Sequence, residues 1–502
     1  MIAKSGLPSD RLSSNAGGDD LQALAKGGRT NFFGFLLRLA ARLPFLFIAG
    51  RWYGAEALGR FAYAIIIVEF VATLATLGLK RGLAAQLSAT QRPHVHVVWD
   101  ALLVGAIASM IAATILGLIP QLMFPNSGIN GLEWLLPLTI FALAWSDIAL
   151  AALAYRLDIG ATVRARSVIE PWTISIAAFG LAFYSLRDGL IIAYVVSMGA
   201  ALIASIWPLI RSFGWPRGWR PRPASLFLLA RRNVPLAAAD AIEWGSRRLD
   251  IAILGLFFSP VVVGIYYVAQ QVASLPQKLK TSFDPILGPV ITRNLEAGNR
   301  LAVARQVAQV GFWIIAAQAG VGLALGITGE GVMGLVGPKF VSGNVALAFL
   351  LIAEVVAATA AVSEAALIYV ARHLNLMISF GMVGIQISLS FAIMLVLRDQ
   401  LHVAPIWQAA GPAMALAMAL GIASIIKAVV LARLLGAPVS GWRWPLVWAA
   451  AVAAVVGYSV TSLPEWLELS LGIPAILISF GAVIWRFGFT SEDRTLFRLK
   501  AA

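Results

Sequence analysis

Residues 101–120 read ALLVGAIASMIAATILGLIP, and none of these side chains is ionisable. An α-helix needs about 20 such residues to cross the roughly 30 Å hydrocarbon core of a bilayer. Comparable stretches recur along the whole chain, which is 60% hydrophobic and 12% charged with a mean hydropathy of +0.84. Soluble proteins carry roughly a quarter charged residues. The sequence therefore predicts an all-α membrane protein.

The apolar windows predict about 14 transmembrane helices, because each window is close to the length that spans a bilayer. Their boundaries are expected to be correct to within about two to four residues. The windows are residues 30–50, 57–79, 97–120, 132–155, 167–186, 189–210, 233–258, 261–290, 307–328, 345–370, 375–397, 405–432, 445–463 and 470–486.

A basic segment rich in Trp and Pro follows the sixth predicted helix and predicts a linker between two six-helix lobes. Similar residues surround Gly59 and Gly264, which suggests a pseudo-two-fold relation between the lobes, as in transporters built from repeats. The predicted organisation is a disordered cytoplasmic tail (1–29), an N-lobe (30–210), a basic cytoplasmic linker (211–232), a C-lobe (233–432), two additional helices (445–487) and a second cytoplasmic tail (488–502).

Lys and Arg are concentrated in the N-terminal tail, in the even-numbered connections and at the C-terminus. Because cytoplasmic loops carry the excess of basic residues, both termini are predicted to be cytoplasmic. The connections on the opposite side are short and leave no room for a catalytic domain outside the membrane. This distribution also explains the net charge of +14 without a nucleic-acid partner, since the charges are not gathered on one surface.

Motifs of catalysis are missing from the sequence. It contains no cysteine, no GxxxxGK[ST] phosphate loop, and four histidines that lie in loops or at helix ends without a catalytic or zinc-binding pattern. We therefore expect no enzymatic activity and no cofactor, apart from H⁺ or Na⁺ as candidate coupling ions.

Ionisable side chains within the predicted spans are the candidate functional residues, because a charge at membrane depth costs several kcal/mol. On the first predicted helix, Arg38 and Arg42 are one turn apart and share a face. The seventh predicted helix carries a second charged stripe, with Glu243 and Asp250 as supporting ion pairs. The stripe comprises Asp240, Glu243, Arg247 and Asp250, and Arg248 lies beside it. Because the first and seventh predicted helices open the two lobes, their arginine pairs are expected to face each other across a central cavity that could hold a diphosphate. The alternative is that ion pairs neutralise the second stripe and that Arg38 extends to the cytoplasmic surface.

Two further groups of charges each have two interpretations. Lys278 and Lys280 either extend toward the cytoplasm or form a basic funnel for diphosphate headgroups. Asp147, Glu354 and Glu364 lie in apolar spans with no obvious basic partner nearby in the sequence. Each could exchange a proton or sodium ion, or could simply bond to a neighbouring helix.

Several short motifs, in this order and spacing, resemble the polysaccharide flippases of the multidrug/oligosaccharidyl-lipid/polysaccharide exporter superfamily. Together these motifs extend from about residue 30 to residue 440. The motifs are Leu58–Tyr63 followed by Leu77–Leu83, Arg248–Gly255 running into Ser259–Tyr266, and then Pro285–Leu287, Gly337–Phe340 and Leu434–Gly436.

This resemblance implies two six-helix bundles around a cationic cavity that opens alternately to each side of the bacterial inner membrane. It implies polyprenyl-diphosphate-linked repeat units as cargo, with membrane lipids as surroundings and polysaccharide polymerase machinery as a candidate partner. The alternatives are a cation-coupled multidrug antiporter of the same superfamily and a lipid II flippase. Cationic drugs favour an acidic cavity, whereas the first predicted helix offers only arginines.

Overall fold

In the computed structural model, residues 43–281, 291, 293–491 and 493–494 are described, and the structural statements below concern this part of the chain. All regular elements within it are helical. The prediction of an all-α membrane protein is therefore confirmed.

The first half of the chain forms six helices of eight residues or more in the described part. A helical segment beginning at Leu43 leads into the first of them. These helices are α1 (Gly54–Ala75), α2 (Leu79–Ala89), α3 (His94–Leu118), α4 (Leu138–Tyr155), α5 (Glu170–Leu181) and α6 (Gly189–Phe213).

The second half continues with longer helices, and several contain proline or end at glycine. They are α7 (Pro223–Phe257), α8 (Pro260–Thr281), α9 (Arg300–Ile327), α10 (Gly329–Val336), α11 (Asn344–Val370), α12 (Arg372–Leu395), α13 (Gly411–Leu435), α14 (Pro445–Val460) and α15 (Ile473–Val483).

Every predicted window from 57–79 onward contains a helix, whereas most of window 30–50 lies outside the described residues. Nine helical segments of the described chain are long and apolar enough to cross a membrane, and Pro445–Val460 is a shorter apolar helix. Helix α7 is not among the nine, because charged side chains interrupt its apolar length. The chain is thus a multi-pass membrane protein.

Helix α7 begins at Pro223 and not near residue 233 as predicted. Proline at the first helical position has no N–H to leave unpaired, which favours a helix start there. Arg231 and Arg232, which the sequence assigned to the basic linker, therefore belong to α7. This shift places Arg232 on the helix that lines the cavity described below.

Helices α1 and α8 connect the two halves of the chain through a close glycine contact. A Cβ atom on Gly59 would overlap the carbonyl oxygen of Pro260 and lie 2.6 Å from the backbone nitrogen of Gly264. A Cβ atom on Gly264 would in turn overlap the carbonyl oxygen of Ala55. The helix backbones can approach this closely only because both residues lack side chains. The largest apolar core of the protein surrounds this crossing.

Helices α14 and α15 pack against each other and against α9, and a buried carboxylate fastens the chain that follows them. Asp493 accepts hydrogen bonds from Arg443 at 2.5 Å, from the Trp313 ring at 2.9 Å, from Gln309 at 3.1 Å and from the Thr490 amide at 2.8 Å. These donors come from α9, from the segment before α14 and from the segment after α15. The carboxylate therefore ties the C-terminal helix pair to the rest of the protein.

Acidification is expected to loosen this attachment. Burial by itself raises the pKa of the Asp493 carboxyl, but the hydrogen bonds from Arg443 and Thr490 outweigh burial and hold the pKa below its ordinary value. A lowered pKa stabilises the fold above the ordinary value of about 3.9, and this stabilisation is lost as the pH falls further. We expect Asp493→Asn to lower the stability at pH 7 by about 2 kcal/mol and to flatten its acid dependence between about pH 5 and pH 3, as measured by thermal unfolding in detergent.

Asp399→Asn is the matched control, because Asp399 is half-exposed and pairs only with its exposed neighbour Arg398 among the described residues. Surface ion pairs of this kind contribute about 1 kcal/mol or less. Equal unfolding temperatures for the two variants across this pH range would contradict the role assigned to Asp493.

Candidate functional site

A cavity of about 1240 Å³ lies among helices α7, α8, α11, α12 and α13. Helix α2, from the first half of the chain, contributes one residue to its wall, Arg81. Pockets for drug-sized ligands usually measure about 300–1,000 Å³. The volume is therefore large enough for a headgroup bigger than a drug molecule.

Cationic side chains outnumber carboxylates in the wall of this cavity. The carboxylates are Glu243, Glu354 and Glu364. Because the surrounding helices are apolar, such an excess of positive charge is costly unless an anion compensates it. The cations that line the cavity are Arg81, Arg232, Arg247, Arg248, Arg372 and Lys427.

The charged stripe of α7 faces this cavity through Glu243, Arg247 and Arg248. Arg247 lies 3.8 Å from a Glu243 oxygen, one helical turn away, which is the intrahelical pair that the spacing suggested. Arg248 differs, because no carboxylate of residues 43–281 or 293–491 is within ion-pair distance of its guanidinium. The stripe thus provides one arginine that is partly neutralised and one that is available to an anion.

Arg81 pairs with the same stripe from the opposite half of the chain. Its guanidinium lies 2.5 Å from Asp240 and 2.5 Å from Glu243. The glycines on either side make this approach possible, since a Cβ on Gly78 would lie 2.5 Å from the Asn233 carbonyl oxygen and a Cβ on Gly82 would overlap its side-chain amide. Helix α2 is therefore held against α7 at the edge of the cavity by a two-carboxylate ion pair.

Asp250, predicted as a supporting ion pair, is held by neutral donors in the described structure. It is fully buried and accepts hydrogen bonds from the Tyr266 hydroxyl at 2.7 Å and from the Gln270 amide at 3.0 Å. These hydrogen-bond donors come from α8, and Arg248 interacts with it only electrostatically, from beyond ion-pair distance. The expectation of an ion pair at this residue is corrected accordingly.

Four of the predicted basic site residues cannot be compared with the structure. Arg38 and Arg42 lie outside the described residues, which begin at Leu43. Lys278 and Lys280 lie in the last turns of α8, but their side chains are outside the description. The proposed pairing of arginines from the first and seventh predicted helices stays a prediction.

Asp147 and Glu364, which were predicted as coupling carboxylates, have basic partners on other helices. Asp147 lies 2.5 Å from Arg166 and 3.2 Å from Lys80, away from the cavity. Glu364 lines the cavity and lies 3.0 Å from the Lys427 ammonium.

The sequence showed no such partner because the pairs form between different helices. Glu354, the third predicted coupling carboxylate, also lines the cavity.

Four cavity cations were missed as site residues by the sequence analysis. Lys427 lies in an apolar span, so the argument used for Arg42 would also have identified it. Arg232 was excluded by the misplaced start of α7. Arg81 and Arg372 lie just outside the predicted windows, and no local signal distinguishes them from ordinary cytoplasmic charges.

A family model described as polysaccharide biosynthesis protein matches residues 50–325, which is more than half of the chain. The match includes α1, α2 and α7, which carry Arg81 and the charged stripe. No curated protein matches the sequence significantly.

Solved structures of transporters share the fold at low sequence identity. The lipid II flippase MurJ in an inward closed conformation has 12% identity and a TM-score of 0.63, covering 93% of this chain and 99% of its own. An inward-facing multidrug resistance MATE family transporter of the MOP superfamily has 12% identity and a TM-score of 0.60, covering 80% and 98%. A MOP superfamily transporter from Pyrococcus furiosus has 12% identity and a TM-score of 0.54, covering 84% and 98%. At this identity the likeness establishes the fold alone.

Proposed function

This chain belongs to the family of polysaccharide biosynthesis proteins, and we propose that it flips polyprenyl-diphosphate-linked oligosaccharides from the cytoplasmic to the outer leaflet of the bacterial inner membrane. Its family and its fold are those of membrane flippases and transporters. Beyond the family and the fold, the cargo, the direction of transport and the membrane are our proposal. Polysaccharide polymerase machinery, which would consume the flipped unit, is the expected partner.

The excess of cations in the cavity is the observation that carries this proposal. Arg232, Arg248 and Arg372 line the cavity, and no carboxylate of the described residues is within ion-pair distance of any of them. A diphosphate would supply the missing negative charge. Guanidinium groups suit it because each can donate two parallel hydrogen bonds to phosphate oxygens and stays charged in apolar surroundings.

We propose that the diphosphate first meets Arg248 and then competes with Glu243 for Arg247 and Arg81. Glu243 contacts both arginines, so an entering anion would weaken the ion pair that holds α2 against α7. Cargo binding would in this way shift the equilibrium between the conformations of the protein, as alternating access requires. In the full site, Arg38 and Arg42 would complete the anion pocket, and Lys278 and Lys280 would collect headgroups.

Coupling to H⁺ or Na⁺ remains part of the proposal. Glu354 and Glu364 are the favoured candidates because both line the cavity that the cargo would enter. Asp147 is a weaker candidate, because it is not among the residues that line this cavity.

Two alternatives follow from the same fold. A multidrug antiporter would export organic cations, which six basic side chains in the cavity wall disfavour. A lipid II flippase would also carry a polyprenyl diphosphate, and charge alone does not separate it from our proposal. The nature of the headgroup must therefore be tested directly.

The decisive experiment is a flipping assay with the full-length protein in liposomes. We expect fluorescent polyprenyl-diphosphate oligosaccharide to reach the opposite leaflet at a rate that depends on the protein, and an imposed H⁺ or Na⁺ gradient to change that rate. Lipid II and a cationic dye serve as competing cargoes. Transport of the dye without movement of either lipid-linked cargo would contradict the proposal. A preference for lipid II would identify lipid II as the cargo in place of the oligosaccharide.

A further inference from the structure

The charges of the cavity are distributed unevenly over its walls. Helices α2 and α7 contribute four cations and one lining carboxylate, Glu243. Asp240 stands behind this wall and is already bound to Arg81. We call this the α7 wall, and its cations are Arg81, Arg232, Arg247 and Arg248.

Helices α11, α12 and α13 form a second wall with balanced charge. Its two cations, Arg372 and Lys427, are matched by two carboxylates, Glu354 and Glu364. Neutral polar groups occupy much of the remaining surface of this wall, which we call the α11–α13 wall. They are Tyr369, His373, Asn375, Ser379 and Ser424.

Lys427 organises the α11–α13 wall. Its ammonium group is almost fully buried, lies 3.0 Å from a Glu364 oxygen and donates to the Ser379 hydroxyl at 3.3 Å. One side chain of α13 thereby joins α11 and α12. An ammonium group with a carboxylate beside it cannot neutralise a second anion well, but together the two groups offer both donors and acceptors.

Sugar hydroxyls require this combination, because each hydroxyl both donates and accepts. Tyr369 adds a half-exposed aromatic ring to the same wall. An acidic sugar would add a third carboxylate to this wall, whose net charge is already zero, and would therefore gain no net electrostatic attraction there. The second wall is thus suited to uncharged sugars and poorly suited to uronic acids.

We infer that the cavity takes its cargo in one orientation, with the diphosphate against the α7 wall and the first sugars against the α11–α13 wall, and that the second wall selects uncharged sugars. This inference rests on the proposed function and extends it to the class of sugar and to the residues that recognise that sugar. Lys427 and Glu364 are the central specificity residues, and Tyr369 supports them.

The test is equilibrium binding of three soluble probes to the full-length protein in nanodiscs: farnesyl diphosphate, farnesyl-diphosphate-linked glucose and farnesyl-diphosphate-linked glucuronate. We expect the glucose probe to bind about tenfold more tightly than the bare diphosphate, and the glucuronate probe to lose that gain. The double variant Lys427→Gln/Glu364→Gln removes the pair without leaving a buried charge. It should abolish the gain from glucose while changing the affinity for farnesyl diphosphate by no more than about twofold.

Tyr369→Ala provides a second variant should the double variant fail to fold, because its half-exposed ring can be removed without opening a core cavity. It should reduce the gain from glucose in the same selective way. Arg248→Gln should instead weaken all three probes by a similar factor. An unchanged gain in the Lys427/Glu364 and Tyr369 variants, or equal affinity for glucose and glucuronate, would overturn the inference alone. Failure of every probe to bind would contradict the proposed function, and the inference with it.

Discussion

Replacement of Arg248 by glutamine is expected to slow the flipping of diphosphate-linked cargo by roughly 10- to 100-fold. Arg248 lines the cavity, and no carboxylate of the described residues is within ion-pair distance of its guanidinium. Glutamine keeps much of the length and polarity but removes the charge and the forked geometry that suit a diphosphate. Because no carboxylate of the described residues is within ion-pair distance of Arg248, the folded protein should remain largely stable.

The measurement is the initial flipping rate in liposomes, compared with the unfolding temperature of the same preparation. Arg398→Gln is the control, since Arg398 is exposed and its partner Asp399 is adjacent in the chain. Arg247→Gln should have a smaller effect than Arg248→Gln, because Glu243 already offsets part of the Arg247 charge. Normal flipping by a folded Arg248→Gln protein would remove this residue from the anion pocket.

Replacement of Gly59 by leucine is expected to destabilise the protein by about 3 kcal/mol or more. Even the first carbon of a side chain would overlap the Pro260 carbonyl, so α1 and α8 would have to separate. Backbone atoms cannot rotate aside as a flexible side chain can. The contact also joins the two halves of the chain, so its loss should affect the whole fold.

The yield of monodisperse protein in detergent and its unfolding temperature measure this effect. Gly384→Leu is the matched control, because Gly384 also lies within a long helix but has no heavy atom within 4 Å of an added Cβ in the described structure. Gly264→Leu should behave like Gly59→Leu. Near-normal stability of both crossing variants would show that the helices do not approach this closely in the membrane.

The helices themselves could be predicted from the sequence because membrane insertion depends on a local property. A segment must satisfy its own backbone hydrogen bonds and present apolar side chains over about 20 residues, and both conditions are met or failed within the segment. Window 97–120 therefore corresponds to α3, and window 445–463 to α14. The start of α7 was missed because the helix continues beyond its apolar part.

The charged stripe on α7 could also be predicted, since helical periodicity places Glu243 and Arg247 on one face. The motif around Gly59 was visible together with its counterpart around Gly264. The contact between these two glycines could not be predicted, because sequence similarity between two segments does not indicate that the segments are in contact.

Only the tertiary structure decided which charges are neutralised and which remain available to a ligand. Arg81 and Glu243 are separated by 162 positions in the chain but lie 2.5 Å apart, and Lys427 meets Glu364 from a different helix. An ion pair depends on which helices are neighbours and on their relative height in the bilayer, and neither quantity is encoded in a single segment. The sequence alone thus determined an all-helical membrane protein with costly buried charges, whereas long-range packing decided that α7, α8, α11, α12 and α13 enclose a cationic cavity.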